Sequence, residues 1–202
     1  MPRTARAAVG GSCYHVINRG NRRAEVFHDV DDYAAFEQLL HEACAYVDMR
    51  VLAWCLMPNH FHLALWPKDK DNLADWVHWL LTTHSRRDNL WHRLTGHVWQ
   101  GRFRAFPIRE DDHLLTVLRY IERNPLRANL VARAEDWPWS SLAERLAPPR
   151  MPFLHAGPVL LLDSWLQHVN EAQTEAELDR SRRSVNRGSP FGTEDWVRQT
   201  AA

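Results

Sequence analysis

The order of apolar runs along this 202-residue chain predicts an α+β fold. The elements read strand, helix, strand, strand, helix, strand, which is the ferredoxin-like split βαβ arrangement: an antiparallel sheet with helices on one face. A small helical C-terminal extension follows. Three observations predict this. Short apolar runs near residues 13–19, 51–65 and 102–108 are bounded by turn residues, as strands are. Two longer segments between them, 33–46 and 73–89, repeat apolar residues at helical spacing. Finally Pro148, Pro149, Pro152 and Pro158 form a connector that ends the first pattern.

Each element has a local cause. The first strand, about 13–19, stops at Gly20, and the first helix occupies 33–46. Val51 to Met57 is a continuous apolar run and reads as a buried strand. Pro58-Asn59 supplies turn chemistry, and the next strand, 60–65, continues until Trp66-Pro67. A second helix covers 73–89, and the loop from Gly96 to Gly101 leads into a strand over 102–108. A third helix starts at Asp111-Asp112, where acidic residues suit the helix dipole, with Leu114, Leu118 and Ile121 at helical spacing. Pro125 disfavours helix at Asn124, so this helix ends or kinks there. Trp137-Pro138-Trp139-Ser140-Ser141 marks a break and a helix cap. From Val159 onward short helices are expected, with a basic loop from Arg182 to Gly192. The division expected is residues 1–135 as the catalytic domain and 136–202 as a helical extension with a basic tail.

Composition narrows the function. Hydrophobic residues make up 45% and charged residues 25%, which is ordinary for a soluble domain, and the formal net charge is zero. No apolar run approaches membrane-spanning length, and no signal-peptide core follows the N-terminus. Cys13, Cys44 and Cys55 are odd in number and irregularly spaced, so they read as core residues in a reducing compartment. Charge is segregated. Arg3, Arg6, Arg19, Arg22 and Arg23 stand without an acid from Met1 to Ala24. Arg102, Arg104 and Arg109 form a second group, and Arg180, Arg182, Arg183 and Arg187 a third, while acids gather in 29–32 and 171–177. This permits a basic cleft on a neutral protein. Of the ten tryptophans, Trp54, Trp76, Trp79 and Trp165 sit in apolar periodic segments, whereas Trp66, Trp91 and Trp99 lie near loops and are the candidates for base stacking.

The chemistry concentrates in two places. In Met57-Pro58-Asn59-His60-Phe61-His62, strand alternation points His60 and His62 to one face and Phe61 to the other. Two imidazoles on a sheet face are a two-point ligand set for a divalent metal. On the third helix, Tyr120 and Asn124 stand at i and i+4 on a single face, flanked by Arg123 and Arg127. A tyrosine hydroxyl, an amide oxygen and guanidinium groups suit attack on a phosphodiester.

Together these residues are similar to the HUH single-tyrosine nucleases, and the match is closer than that superfamily. Tyr14-His15-Val16-Ile17-Asn18-Arg19-Gly20-Asn21-Arg22-Arg23, the His60–His62 motif and Tyr120-Ile121-Glu122-Arg123-Asn124-Pro125-Leu126-Arg127-Ala128 resemble the REP-associated tyrosine transposases. So does the tail from Arg183 to Gly192. The resemblance implies that His60, His62 and Asn124 hold Mg²⁺ or Mn²⁺, two imidazoles fitting Mn²⁺ better. It implies that Tyr120 attacks single-stranded DNA beside a REP-type hairpin and leaves a 5′-phosphotyrosine link and a free 3′-hydroxyl. Arg19, Asn21, Arg22, Arg23, Arg102, Arg104, Arg123, Arg127 and Arg187 are the residues expected to touch DNA. The chain departs from insertion-sequence relatives in carrying asparagine, not glutamine, four residues after the tyrosine; the REP-associated branch accepts this Asn. A monomer, with a dimer as the alternative, acting in the bacterial cytoplasm, nucleoid-associated and without a membrane partner, is expected.

Two rival functions use the same residues. A non-catalytic binder of structured nucleic acid would use the cleft without a covalent step. A metal-dependent hydrolase would pair His60 and His62 with a distant carboxylate and release both DNA ends free.

Overall fold

The computed structural model describes residues 11–69, 72–147, 153–187 and 189–201. Its centre is a four-stranded sheet: β1 (Cys13–Arg19), β2 (Met49–Met57), β3 (His60–Pro67) and β4 (Arg104–Ile108), in the order β2-β3-β1-β4 with every pair antiparallel. Helix α1 (Val30–Tyr46) connects β1 to β2, and α2 (Asn72–Trp91) connects β3 to β4. This is the split βαβ topology, with the hairpin β2–β3 turning at Pro58-Asn59.

Strand alternation divides the core into two layers. Tyr14, Val16, Val51, Trp54, Leu56, Phe61, Leu63 and Leu65 pack with Phe36, Leu39 and Leu40 of α1 and Trp76, Val77 and Leu80 of α2. Both crossover helices thus share one face. The other face, through Cys13, Ala53, Cys55, Met57, Ala64 and Ile108, packs against α3 (Asp112–Glu122) and the chain beyond it. Asp29 caps α1 by accepting from the amides of Asp31 and Asp32, and Asp111 caps α3 by accepting from that of His113. Helix α3 stops at Glu122, and a single turn, α4 (Asn124–Arg127), resumes with Pro125 in its first turn, so the expected kink falls at Arg123.

The extension comprises α5 (Ser141–Leu146), α6 (Trp165–Asn170), α7 (Glu175–Arg187) and α8 (Glu194–Ala201). It covers both edges of the sheet, whose open amides and carbonyls would otherwise be unpaired. Along β2, the Leu56 amide donates to Trp139 O, the Trp54 amide to Ser141 Oγ, and the His155 amide to Val51 O. Along β4, the Phe191 amide donates to Pro107 O and the Arg109 amide to Phe191 O. Ser140 occupies the cap position of α5, but its hydroxyl turns back to Trp137 O and does not cap. The basic stretch expected as a loop from Arg182 is helical through Arg187, because α7 runs on to that residue. Among the described residues no helix is long and apolar enough to cross a membrane.

Candidate active site

His60 and His62 lie on the α3 face of β3, with their ring centroids 5.0 Å apart. Tyr120 projects from α3 onto them, its ring edge-on to that of His62 at 5.7 Å. The tyrosine and histidines of one chain therefore meet. A third imidazole completes the floor. His15 of β1 is 4% exposed, and its Nε2 is 2.9 Å from His62 Nδ1, with its ring 6.0 Å from that of Tyr120. Sequence reading did not single out His15 as a site residue. Alternation in β1 places it on the same face as Ile17, but only the β1–β3 register, Ile17 opposite His62 and His15 opposite Ala64, brings it beside the pair.

Burial keeps this cluster neutral. Desolvation holds His15 down at about 3 and His60, with help from the Arg19 and Arg127 charges, at about 4. His62 is pushed well below its ordinary value by burial, with the neighbouring imidazoles and arginines adding. Neutral imidazoles keep a lone pair for a metal. The outer hydrogen bonds select which nitrogen offers it. His60 Nδ1 lies 2.7 Å from Asn59 Oδ1, an oxygen that only accepts, so Nδ1 carries the proton and Nε2 is the lone-pair nitrogen. If His62 donates from Nδ1 to His15 Nε2, its own Nε2 is likewise the lone-pair nitrogen.

Asn124 begins α4 and is 2% exposed. Its Oδ1 accepts from Arg127 Nη2 at 2.7 Å, while its Nδ2 is buried without a hydrogen-bond partner. Such an orphaned donor is costly, and what would satisfy it is an acceptor such as a phosphate oxygen, not a cation. Arg127 also spreads its guanidinium over the Tyr120 ring, 4.5 Å from the centroid. One arginine thus links the tyrosine to the amide. Two lone-pair imidazoles, with the amide oxygen of Asn124 keeping a second lone pair beyond its bond from Arg127, are a fitting donor set for a divalent cation.

The basic residues divide. Arg19 lies opposite His60 and Arg104 opposite Ile17, so both project from the sheet on the face of the histidine pair, exposed. Asn21, Arg22 and Arg23 form an exposed turn after β1, with Arg22 and Arg23 in the left-handed region at φ 54° and 62°. Arg102 is exposed before β4. Arg123 is engaged elsewhere: its Nη1 donates to the carbonyls of Val169 and Asn170 at the end of α6. Arg187 ends α7, and its side chain lies outside the described residues. Of the stacking candidates, Trp99 is core, 6% exposed between Phe36 and Phe61; Trp66 lies under the Arg50 guanidinium; Trp91 is open to solvent.

Comparisons with known proteins place the chain in a family. A REP-associated tyrosine transposase of Escherichia coli K12 is 24% identical over 152 residues, covering 74% of this chain and 87% of its own. A Haemophilus influenzae protein assigned to the same group is 31% identical over 117 residues, covering 52% of this chain and 66% of its own, so this chain spans just under two thirds of that relative. A REP-associated tyrosine transposase solved bound to a REP hairpin shares the fold, with a TM-score of 0.61 at 20% identity, over 87% of this chain and all of the other. The profile of the IS200-like transposases matches residues 8–124, from just before β1 to Asn124. The chain belongs to the IS200-like transposase family, and the relatives it matches are REP-associated tyrosine transposases.

Proposed function

We propose that this chain is a metal-dependent single-tyrosine nuclease and strand transferase, acting on single-stranded DNA beside REP-type hairpins. The observation that carries the reading is the contact of Tyr120 with the neutral histidine cluster of its own chain. His60, His62 and Asn124 would hold Mg²⁺ or Mn²⁺, which supplies polarisation of the scissile phosphate. Tyr120 is the nucleophile. Its phenolic proton is lost, the bond from its oxygen to phosphorus forms, and the bond from phosphorus to the 3′ oxygen breaks. That oxygen takes up a proton and leaves as a 3′-hydroxyl, while the 5′ end stays on the protein. One phosphoester replaces another, so a 3′-hydroxyl attacking in reverse rejoins a strand without outside energy.

The remaining residues position the parts. His15 fixes the orientation of His62, and Asn59 that of His60. Arg127 lies over the tyrosine, where its charge offsets that of the phosphate, and holds Asn124 by its amide oxygen. Arg19 and Arg104 supply phosphate contacts on the open side. The hairpin-bound relative supports the REP-type substrate, and Arg22, Arg23, Asn21 and Arg102 form the nearby surface for it. The protein would act as a monomer in the cytoplasm. The test incubates the protein with Mn²⁺ and hairpin oligonucleotides, then separates it under denaturing conditions. A metal-dependent protein–DNA band that vanishes in Tyr120→Phe is expected. An adduct surviving that substitution would overturn the role of Tyr120, and hairpin binding without any adduct would favour a non-catalytic binder.

A further inference from the structure

A second cluster of ligating side chains lies in the α1/α2 layer, across the sheet from Tyr120 and the histidine pair. There the start of α1 meets the end of α2 beside a cavity of about 330 Å³, whose wall includes Asp32, Leu39, His84, Asp88 and Trp91. Asp32 Oδ1 is 2.8 Å from His92 Nε2, and Asp88 Oδ1 is 3.9 Å from the same nitrogen. The donor atoms of all three lie within 4.8 Å of one another. These side chains are 9%, 10% and 21% exposed for Asp32, Asp88 and His92, so they are not solvated surface groups. His84, Asp88 and His92 follow at i, i+4 and i+8 along α2 and its final turn.

A second observation points to a ligand. His84 is 5% exposed and lines the same cavity, yet its Nδ1 is buried without a hydrogen-bond partner. Its neighbours Phe27, Phe36 and Trp99 are aromatic faces and offer it no acceptor. His28 completes the surroundings: its ring is 5.3 Å from that of His92, and its backbone amide already occupies Asp32 Oδ2 at 2.8 Å.

We infer that Asp32, Asp88 and His92 form a binding site for a divalent first-row cation of the Zn²⁺ class, with water completing its shell. When both are ionised, two carboxylates whose oxygens lie within 4.8 Å of each other carry two negative charges, and a protonated His92 answers only one of them. At 3.9 Å it does not hydrogen-bond Asp88. A dication answers both. Zn²⁺ bonds to nitrogen and oxygen are about 2.0–2.1 Å, so adjacent donors of a tetrahedral site lie roughly 3.3 Å apart. The observed 2.8 and 3.9 Å bracket that spacing. Mixed imidazole and carboxylate donors suit Zn²⁺ or Mn²⁺ better than Mg²⁺. Binding would clamp the ends of two helices together. It would also steady the segment leading to the β2–β3 turn, since the amides of Val26 and Phe27 both donate to Pro58 O, two residues before His60.

The test removes the nuclease site first. Full-length protein carrying His60→Ala and His62→Ala is titrated with Zn²⁺ against a chromophoric chelator, and with Co²⁺ for its visible absorption. One bound equivalent and a raised melting temperature are expected. Adding Asp88→Asn and His92→Gln should weaken binding by at least about a hundredfold, because losing a ligand costs no less than losing a residue that only hydrogen-bonds one. If that protein does not fold, Asp88→Asn alone, which keeps the side chain's shape, is read in the same titration. No bound equivalent in the background protein, or binding untouched by the folded variant, overturns the site.

Discussion

At the scale of single residues, His15 is the informative one. It touches no other part of the proposed chemistry than His62 and the edge of Tyr120, so the role the proposal gives it is to aim a ligand. Replacing it by phenylalanine keeps the ring and removes the acceptor. The Mn²⁺ concentration for half-maximal adduct should rise about 10–100-fold, the usual cost of losing the residue that hydrogen-bonds a metal ligand. The same variant tests the electrostatics. His15 and His60 titrate at about 3 and about 4 in the folded chain, against an ordinary 6.5. Between those values and 6.5 the unfolded chain binds protons that the native chain excludes, so stability rises with pH across this window. Stability is complete above pH 6.5 and falls as the pH drops toward 3. Thermal melts should show a weaker fall for His15→Phe than for the parent; an identical fall would mean His15 is not held neutral. The pair His60 and His62 was legible because strand alternation alone sets two residues on one face. His15 was not, because its place depends on the pairing of strands 45 residues apart in sequence, from Ile17 to His62.

At the scale of elements, the tyrosine helix is held from behind. Glu122 is fully buried, and its carboxylate accepts from Ser141 Oγ at 2.5 Å, Arg145 Nε at 2.9 Å and Trp165 Nε1 at 2.6 Å. These come from α5 and α6, so the extension fixes the helix that carries Tyr120. Glu122→Ala strands the Arg145 charge and should cost about 3–5 kcal/mol, read by urea unfolding. A loss below about 1 kcal/mol would show that the network holds nothing. Gly20 controls the turn between β1 and the arginines. A Cβ there would sit 2.3 Å from Ala24 O and 2.7 Å from Val26 Cγ2. Gly20→Ala should therefore destabilise by about 1–3 kcal/mol in the same assay. The strands and the first three helices were legible from periodicity, helped by Gly and Pro at strand ends and by the Asp29 and Asp111 caps of α1 and α3. The second layer was less so. That α3 covers the opposite face, that Trp99 is core and that α7 persists through Arg187 are consequences of tertiary packing. Arg123 reads on sequence as a flank of the tyrosine, yet the kink at that residue turns its guanidinium to α6.

At the scale of the molecule, one chain supplies tyrosine, histidines and asparagine, and the extension closes both sheet edges. A site assembled within one chain makes a clear statement about mixtures. His62→Ala protein, with Tyr120 intact, is combined with Tyr120→Phe protein, with His62 intact. Neither alone should form an adduct, and the mixture should form none; restored adduct would mean that tyrosines exchange between chains. The net charge of zero sets a further expectation, that DNA affinity comes from the few arginines on the histidine face. The measurement that bears most directly on the proposed function is to digest the metal-dependent covalent product with trypsin and nuclease and weigh the modified peptide. A nucleotide remnant on Tyr120, joined through a 5′-phosphate, is the predicted result. A remnant on any other residue, or no modified peptide from DNA that was cut, would contradict it.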